Sequence, residues 1–483
     1  MDTRTKIVAT LGPASEEPEV LEALIDAGVD VVRLNLSHGD LEGHLARLAA
    51  VRSASERVGR VVAVLADLPG PKVRAGQFPE GGIVLREGDA VRLMGVGADD
   101  LTSSPSSRDV VTVGYPALLD DLHAGDRVVI GDGAITLEAV GASDGSMAMR
   151  VRTGGRVQGR PGVHLPSGRL RLTAPTDDDI VLGRRMADAG VDFLAVSFVR
   201  SADDLTRMRE AIAPHRTRIV AKIETMHAVA DLEAIVAGAD AVMVARGDLG
   251  IEYPLEEVPH LQKRIIRFCV EAGVPVITAT QMMESMISAP SPTRAEVSDV
   301  ANAVFDGTDA LMLSAETAVG IDPAEVVRAM VRVAGRAEQE AGYAQWGARL
   351  GRLQRPSATG PDRIAMAITH AAAMAAGEAD ATAILCCSRS GRTVRAMARF
   401  RPLAALVGLS PDPATVRALA LSWGVMPMSV EEYQTTDELV WFAVERSVQA
   451  GLVASGDTVL VLAGAPDRGS GSSTDVLRVV RVA

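Results

Sequence analysis

The sequence predicts an α/β protein built on a (β/α)8 TIM barrel, and three observations carry that reading. Short apolar, β-branched runs alternate with helical-period segments, as βα units around a parallel sheet require. Eight such runs precede residue 320, the number that closes a (β/α)8 barrel. One long break, rich in Gly, Asp and short valine-bearing runs, separates the third run from the fourth.

The strand candidates are residues 6–11, 29–35, 61–67, 193–199, 218–223, 241–245, 274–279 and 310–313, with amphipathic helices such as 18–27, 202–213 and 255–272 between them. Segments of the break such as IVLREGDAVRLMG and DRVVIGDGAITLEAV read as hairpins, so residues 70–166 are assigned to a small all-β domain, a β-barrel lid inserted after the third barrel strand. A helix is expected to begin near Thr176. After Tyr343 the run RLGRLQRPSATGPD reads as a linker. Five strand candidates follow, at 383–387, 404–409, 425–428, 459–463 and 477–482, and give a C-terminal α/β domain with a five-stranded sheet. The expected layout is a barrel from 1–69 and 167–346, a lid from 70–166 and a C-terminal domain from 347–483. Three domains also agree with 483 residues at about 150 per domain.

Composition bounds the function. Hydrophobic residues at 47% and charged residues at 23% indicate a folded, soluble protein. A formal net charge of −13 argues against coating nucleic acid or an anionic membrane, so any polyanion must be bound locally. Three cysteines, Cys269, Cys386 and Cys387, lack disulfide or zinc spacing and read as core thiols. The N-terminus MDTRTKIVATLGP has no apolar signal core and no apolar run approaches about 18 residues, so a cytoplasmic location is the default expectation. Only four of the 49 cationic residues are lysine: Lys6, Lys72, Lys222 and Lys263.

A (β/α)8 barrel places its chemistry at the C-terminal ends of its strands. There the sequence puts Arg33, Asn35, Ser37 and His38 after the second strand, Asp67 after the third, and Ser197 and Phe198 after the fourth. The remaining strands supply Lys222 and Glu224, Arg246 and Asp248, Thr280 and Gln281, and Ser314 and Glu316. Lys222 and Glu224 are two apart and share one side of an extended strand. Asp248 adds a second carboxylate to that of Glu224, and the two offer hard oxygen ligands suited to Mg²⁺ or Mn²⁺ bridging an anionic substrate, or else the three residues form an ion-pair network closing the barrel mouth. Gly247, Asp248 and Gly250 read as a tight turn whose N–H groups suit a carboxylate or phosphate. Arg33, Lys72, Arg74 and Lys222 form a local positive cluster of the kind phosphoryl transfer needs. His38 reads as a structural histidine or a nucleotide contact, and the methionines of QMMESM as core. In the C-terminal domain Ser388, Arg389, Ser390, Gly391, Arg392 and Thr393 follow a strand and open a helix, which suits a phosphate or an ordinary capped helix start. A second Gly/Ser loop at 467–474 could close over the same spot.

The motifs RLNLSHG (33–39), GPKVR (70–74), AKIE (221–224), MVARGDLG (243–250), TATQMMESM (278–286), PTRAE (292–296) and DGTDALMLSAET (306–317) resemble, in order, those of the pyruvate kinase family. The resemblance covers essentially the whole chain. It implies the last step of glycolysis, transfer of the phosphoryl group of phosphoenolpyruvate to ADP, giving pyruvate and ATP. It also implies Glu224 and Asp248 as ligands of Mg²⁺ or Mn²⁺, and Lys222 at the transferring phosphoryl group and developing enolate. Arg33 and Arg74 would hold phosphate oxygens of substrate and nucleotide, with His38 and Asn35 also on the nucleotide side. Gly247, Asp248 and Thr280 would orient the substrate carboxylate, and Thr280 and Ser314 would relay a proton. A homotetramer and a phosphorylated allosteric effector at the 388–393 loop are implied too, with no nucleic-acid or membrane partner.

Three departures from the family pattern matter. Potassium-dependent members carry Asp-Thr-Lys-Gly-Pro-Glu where this chain reads Asp67-Leu68-Pro69-Gly70-Pro71-Lys72. The expectation is that Lys72, beside Asn35, Ser37 and Asp67, replaces the monovalent ion, so that K⁺ is not required. The usual lysine after the lid is Asp178, and the usual aromatic after the SHG motif is Gly43. Two competing readings are a Mg²⁺-dependent barrel lyase or aldolase working through an enolate, and a catalytically silent sensor of phosphorylated metabolites.

Overall fold

The computed structural model describes residues 3–97, 99–131, 135–166, 168, 170–343, 346, 350, 361–433, 435–464 and 474–483. Three barrel strands come first: β1 (Lys6–Thr10), β2 (Val31–Asn35) and β3 (Ala63–Asp67). The inserted segment holds β4 (Ile83–Leu85), β5 (Ala90–Gly95), β6 (Val110–Val113), β7 (Arg127–Ile130), β8 (Ile135–Ser143), β9 (Ser146–Thr153), β10 (Gly155–Val157) and β11 (Val163–His164). The barrel resumes with β12 (Phe193–Val196), β13 (Arg218–Ile223), β14 (Ala241–Ala245), β15 (Val276–Ala279) and β16 (Ala310–Leu313). These eight close in the order β1-β16-β15-β14-β13-β12-β3-β2, every pairing parallel. The α/β class, the barrel and its eight strands are therefore as the sequence indicates.

The strands read as unbroken apolar runs because both of their faces are covered. Val8, Val31, Leu65, Phe193, Val220, Met243 and Met312 fill the barrel interior. Their neighbours Ile7, Val32, Val64, Leu194, Val242 and Leu311 pack outward against the helices. The second strand starts two residues later than its apolar run suggests. Gly28, at φ 124°, ends the helix Pro18–Ala27, and the Val29 N–H donates to the Leu24 carbonyl, so Val29 belongs to the helix cap.

In the lid, β11-β7-β8-β9-β5-β6 form one six-stranded sheet and β10 pairs with β4. The expected barrel closes through two isolated bridges rather than a further strand: Ala75 pairs with Val113 at one sheet edge, and Arg74 with Gly162 beside β11 at the other. The lid's two connections to the barrel meet at Asp179. Its carboxylate caps the helix Asp177–Asp188 by accepting from Thr176 N–H, and its other oxygen accepts the Gly70 N–H at 3.1 Å. Gly70 has φ 68°, and a Cβ there would lie 2.8 Å from Ser197 and Phe198, so this hinge has room only for glycine.

The C-terminal domain contributes β17 (Ala383–Cys387), β18 (Ala405–Ser410), β19 (Val425–Ser429), β20 (Thr458–Gly464) and β21 (Thr474–Arg481). They form a sheet in the order β19-β18-β17-β20-β21, with only β21 antiparallel. This domain plugs the N-terminal floor of the barrel, where Ala418, Ala420 and Leu421 join the interior apolar cluster. The polar half of the junction centres on Asp309. One of its oxygens accepts from Arg401 Nη1 at 2.9 Å and Trp423 N–H at 3.3 Å, and the other from Val276 N–H at 3.0 Å. Lys6 acts here as well, pairing with Asp30 at 3.2 Å and donating to the Val425 carbonyl at 2.9 Å. Lys263 pairs with Asp306 on the barrel surface. Among the described residues no helix is long and apolar enough to cross a membrane.

Arg401 and Asp309 are 1% and 6% exposed, so truncating the acid leaves a buried guanidinium without its counter-charge. Asp309→Ala is expected to cost about 3–5 kcal/mol, read as a lowered urea midpoint for the barrel and C-terminal domain. An unchanged midpoint would show that the junction does not depend on this pair.

Candidate active site

The C-terminal strand ends converge on a chain of buried charges. Arg33, on β2, donates Nε to Asp67 Oδ2 at 2.8 Å and Nη1 to Thr10 Oγ1 at 3.1 Å. The other Asp67 oxygen faces Lys222 Nζ at 3.2 Å, and Lys222 also reaches Glu224 Oε1 at 2.8 Å and donates to Ser197 Oγ at 2.7 Å. Glu224 Oε2 accepts the Phe198 N–H at 2.6 Å, an N–H turned toward it by the left-handed backbone of Phe198 (φ 55°). Five strands, β1, β2, β3, β12 and β13, thus feed one network.

Its electrostatics follow from burial and spacing. Burial opposes ionisation of Asp67, but the charges of Lys222 and Arg33 outweigh it and hold that carboxyl below its usual range. Burial likewise opposes the Lys222 ammonium, and Asp67, Glu224 and Asp248 together reverse the effect and raise its pKa. Glu224 goes the other way. Burial raises its pKa, the Asp248 charge adds to the rise, and Lys222 only partly offsets them.

That imbalance is the test of a metal site. Glu224 and Asp248 bring two hard oxygen donors together with an electrostatic cost that a dication removes, so the pair fits Mg²⁺ or Mn²⁺. Among the described residues no group of three or more His, Cys, Asp or Glu gathers as a protein-only cage. Two protein carboxylates alone leave most positions around a dication to other ligands. Glu224 belongs both to this ion-pair network and to the predicted metal pair, whereas Asp248 acts on the network through its charge on Lys222 and Glu224.

The far side of the mouth is ordered by Arg246. Instead of the expected turn, Arg246–Glu252 forms a short helix that carries Gly247 and Asp248. The Gly247 N–H donates to Thr280 Oγ1 at 3.0 Å, which engages part of the donor set once assigned to a ligand. Thr280 and Gln281 leave β15 in left-handed conformations, φ 70° and 52°, which cost non-glycine residues about 1–2 kcal/mol each. Arg246 holds them there, donating to the carbonyls of Ala279 at 3.2 Å and Thr280 at 2.6 Å while pairing with Asp299 at 2.7 Å. Ser314 sits at the end of β16, its N–H donated to Glu316 Oε2 at 2.7 Å. Glu316 also takes Met283 N–H, so this carboxylate shapes the rim. The methionines Met282, Met283 and Met286 are buried, as expected of core.

Between mouth and lid lies a cavity of about 320 Å³. Lys72, Arg74 and His38 line it, with Phe198, Asp248 and Arg200. Lys72 Nζ donates to Ser37 Oγ at 2.9 Å, and the Asn35 side chain accepts the Ser37 N–H at 3.2 Å. Burial and the Lys222 charge lower the Lys72 pKa, while Asp67, Asp248 and Glu224 support its charge. His38 is exposed, and burial of its ring followed by the Lys72, Arg74 and Arg33 charges lowers its pKa. Asp178 is exposed on the first turn of its helix, and Gly43 N–H is spent on capping by Asp40.

Among the polar cavity residues, sequence reasoning missed His164, Arg200, Thr225, His227 and Glu252. Arg200 lies two residues past Phe198 and was within reach of the strand-end rule. It is locked by Asp204 at 3.0 Å and by the Leu172 carbonyl at 2.7 Å. His164 belongs to the lid, where barrel geometry offers no guide. In the C-terminal domain Gly391 (φ 76°) opens the helix Arg392–Ala398, the Ser388 N–H bonds the Leu409 carbonyl, and Thr393 Oγ1 contacts Thr474 Oγ1. Residues 467–473 of the second loop lie outside the described residues.

Comparison with known proteins agrees with this geometry. Residues 2–327 match the family model "Pyruvate kinase, barrel domain" and residues 366–480 match "Pyruvate kinase, alpha/beta domain". A pyruvate kinase from Geobacillus stearothermophilus is 41% identical over 99% of this chain and 80% of its own length. One from Mycobacterium tuberculosis strain H37Rv is 41% identical over 100% of this chain and 99% of its own. A solved pyruvate kinase from Cryptosporidium parvum superposes with a TM-score of 0.90 at 30% identity, covering 100% of this chain and 96% of that one. With the barrel model matched over residues 2–327, the alpha/beta model over 366–480 and relatives 41% identical along essentially the full length, the chain belongs to the pyruvate kinase family of phosphotransferases.

Proposed function

We propose a division of labour among these residues for the reaction of this family, transfer of the phosphoryl group of phosphoenolpyruvate to ADP. The observation that carries it is Lys222, an ammonium held at 3.2 Å and 2.8 Å between Asp67 and Glu224 beneath a basic cavity. Arg33 and Lys222 bind the phosphoryl oxygens, and Lys222 carries charge compensation from phosphoryl group to enolate as the bond breaks. A compact ammonium suits a moving charge better than a planar guanidinium does. Glu224 and Asp248 hold Mg²⁺ or Mn²⁺, which when bound supplies positive charge to the substrate oxygens. Gly247, Asp248 and Thr280 orient the substrate carboxylate. Arg74 binds ADP phosphates across the cavity, with His38 and Asn35 at its edge. Thr280 and Ser314 relay the proton that converts enolpyruvate to pyruvate.

Lys72 takes the place of a monovalent cation. Its support is the 2.9 Å bond to Ser37 Oγ beside Asn35, with the Asp67 charge acting on the ammonium. A cytoplasmic homotetramer, with the exposed Trp441 and Val448 of the helix Thr436–Gln449 available for assembly, completes the reading. A phosphorylated effector at Ser388, Arg389, Ser390, Gly391, Arg392 and Thr393 belongs to the same reading.

A coupled pyruvate-formation assay with phosphoenolpyruvate and ADP is expected to give turnover with Mg²⁺, none after chelation by EDTA, and equal rates with and without K⁺. No pyruvate in any condition refutes the residue roles, and a strict K⁺ requirement refutes that of Lys72. Lys72→Glu is expected to lose about 10²-fold in kcat without K⁺ and to recover on adding it. Lys222→Met should lose about 10³-fold in kcat with Mn²⁺ binding retained, measured by electron paramagnetic resonance; near-normal turnover contradicts the assignment. Arg246→Met releases Thr280 from its left-handed position and should cost about 10²-fold in kcat, with Arg246→Lys recovering part of it.

A further inference from the structure

At the barrel floor, opposite the catalytic mouth, five buried polar atoms have no hydrogen-bond partner among the described residues. One is Trp423 Nε1, and the other four are Arg399 Nε and Nη2, Arg401 Nε and Ser422 Oγ. Their residues are 5%, 1% and 1% exposed and line one small cavity together with Asp309 and Arg395. A buried donor left unbonded costs about 1–3 kcal/mol, more when it carries charge, so four at one place call for an occupant.

Both guanidiniums are fixed in place. Arg399 lies over the Phe400 ring at 4.8 Å and donates Nη1 to the Glu271 carbonyl at 3.1 Å. Arg401 lies over Trp423 at 4.8 Å and spends Nη1 on Asp309 and Nη2 on the Gly307 carbonyl. What remains of each donor set belongs to the cavity wall.

The charges do not balance. Three arginines line the cavity against one carboxylate, and Asp309 is already committed to Arg401, Trp423 N–H and Val276 N–H. Burial lowers the Arg399 pKa to about 10 with no acid opposing it. It lowers that of Arg395 to about 10 too, with the Arg218 and Arg392 charges adding to the fall and Asp240 only partly opposing it. In the sequence, residues 344–360 contain no Asp or Glu. A water molecule satisfies donors and leaves the charge uncompensated, whereas an anion does both.

Size then narrows the ligand. The cavity measures about 10 Å³, room for one water-sized group. Phosphate, sulfate and carboxylates are too large. We propose that this junction binds one monatomic anion of the chloride class, held by the Arg399 and Arg401 guanidiniums and the Ser422 hydroxyl, as a structural ligand joining the C-terminal domain to the barrel floor. The site is separate from the cleft at the other end of the barrel. It is linked to the 388–393 loop through Arg395, whose Nη1 donates to the Ser390 carbonyl at 3.3 Å.

The test uses the full chain without its substrates. Thermal unfolding is compared in potassium chloride and potassium gluconate at equal ionic strength. A saturable rise of about 2 °C or more with chloride is expected, and its loss in Arg399→Gln. Crystals grown in chloride and measured at long wavelength should carry a chlorine anomalous peak within hydrogen-bond reach of Arg399 Nη2 and Ser422 Oγ. That measurement decides the matter on the unaltered chain if the variant fails to fold. Density at this position without anomalous signal, meaning a water, overturns the proposal. So does a chloride response that Arg399→Gln keeps in full.

Discussion

The catalytic mouth depends on keeping Asp67 ionised where almost no water reaches it. Its carboxylate is 1% exposed, and an isolated charge at such depth would protonate rather than stay charged. Arg33 takes one oxygen and Lys222 the other, and each cation reaches it from a different strand. The ion pairs therefore set more than charge. They fix the lateral positions of β2, β3 and β13 at the end where substrate must bind, and they aim Lys222 at Glu224. A buried network of this kind adds little stability over an apolar core of equal volume. Its value is positional, since phosphoryl transfer leaves the protein mainly the tasks of placing and neutralising charge.

The same logic explains why lysine is so scarce. Arginine dominates where a cation must lie flat on an aromatic ring and bond carbonyls in a fixed plane, as Arg399 and Arg401 do on Phe400 and Trp423. Lysine survives at points where one ammonium must meet oxygens converging from several directions. Lys222 meets Asp67, Glu224 and Ser197; Lys72 meets Ser37 within the field of Asp67; Lys6 meets Asp30 and the Val425 carbonyl. Lys263, paired with Asp306 on the surface, has no such constraint.

How much of this was legible beforehand follows from the range of each interaction. The eight barrel strands were legible because burial on both faces writes itself into short apolar runs. Lys222 and Glu224 were legible because strand geometry is local. The role of Lys6 was not, because its carbonyl partner lies 419 residues away on β19. Nor was the latch formed by Arg246, whose purpose appears only once Thr280 and Gln281 are seen in left-handed conformations. The ARGDLG segment was read as a turn on the strength of its glycines, yet Gly247 and Gly250 lie inside a helix. Closure of the lid was expected from its hairpins, but it depends on Arg74 and Ala75, which belong to no strand and bridge two distant edges.

The two ends of the barrel carry opposite imbalances, and this division has a functional sense. At the mouth, burial and the Asp248 charge leave the Glu224 carboxylate under-compensated, a condition that favours a cation arriving with substrate. On the proposed roles that imbalance has to be reversible, because the charges of the proposed metal and of substrate come and go with each turnover. At the floor, Arg395, Arg399 and Arg401 outnumber Asp309 around a small cavity of about 10 Å³. A compensating ion there would lie against residues of both domains. The barrel can therefore keep its catalytic end electrostatically unsettled while its floor stays fixed, provided the charges at the floor are matched by something as permanent as the fold itself.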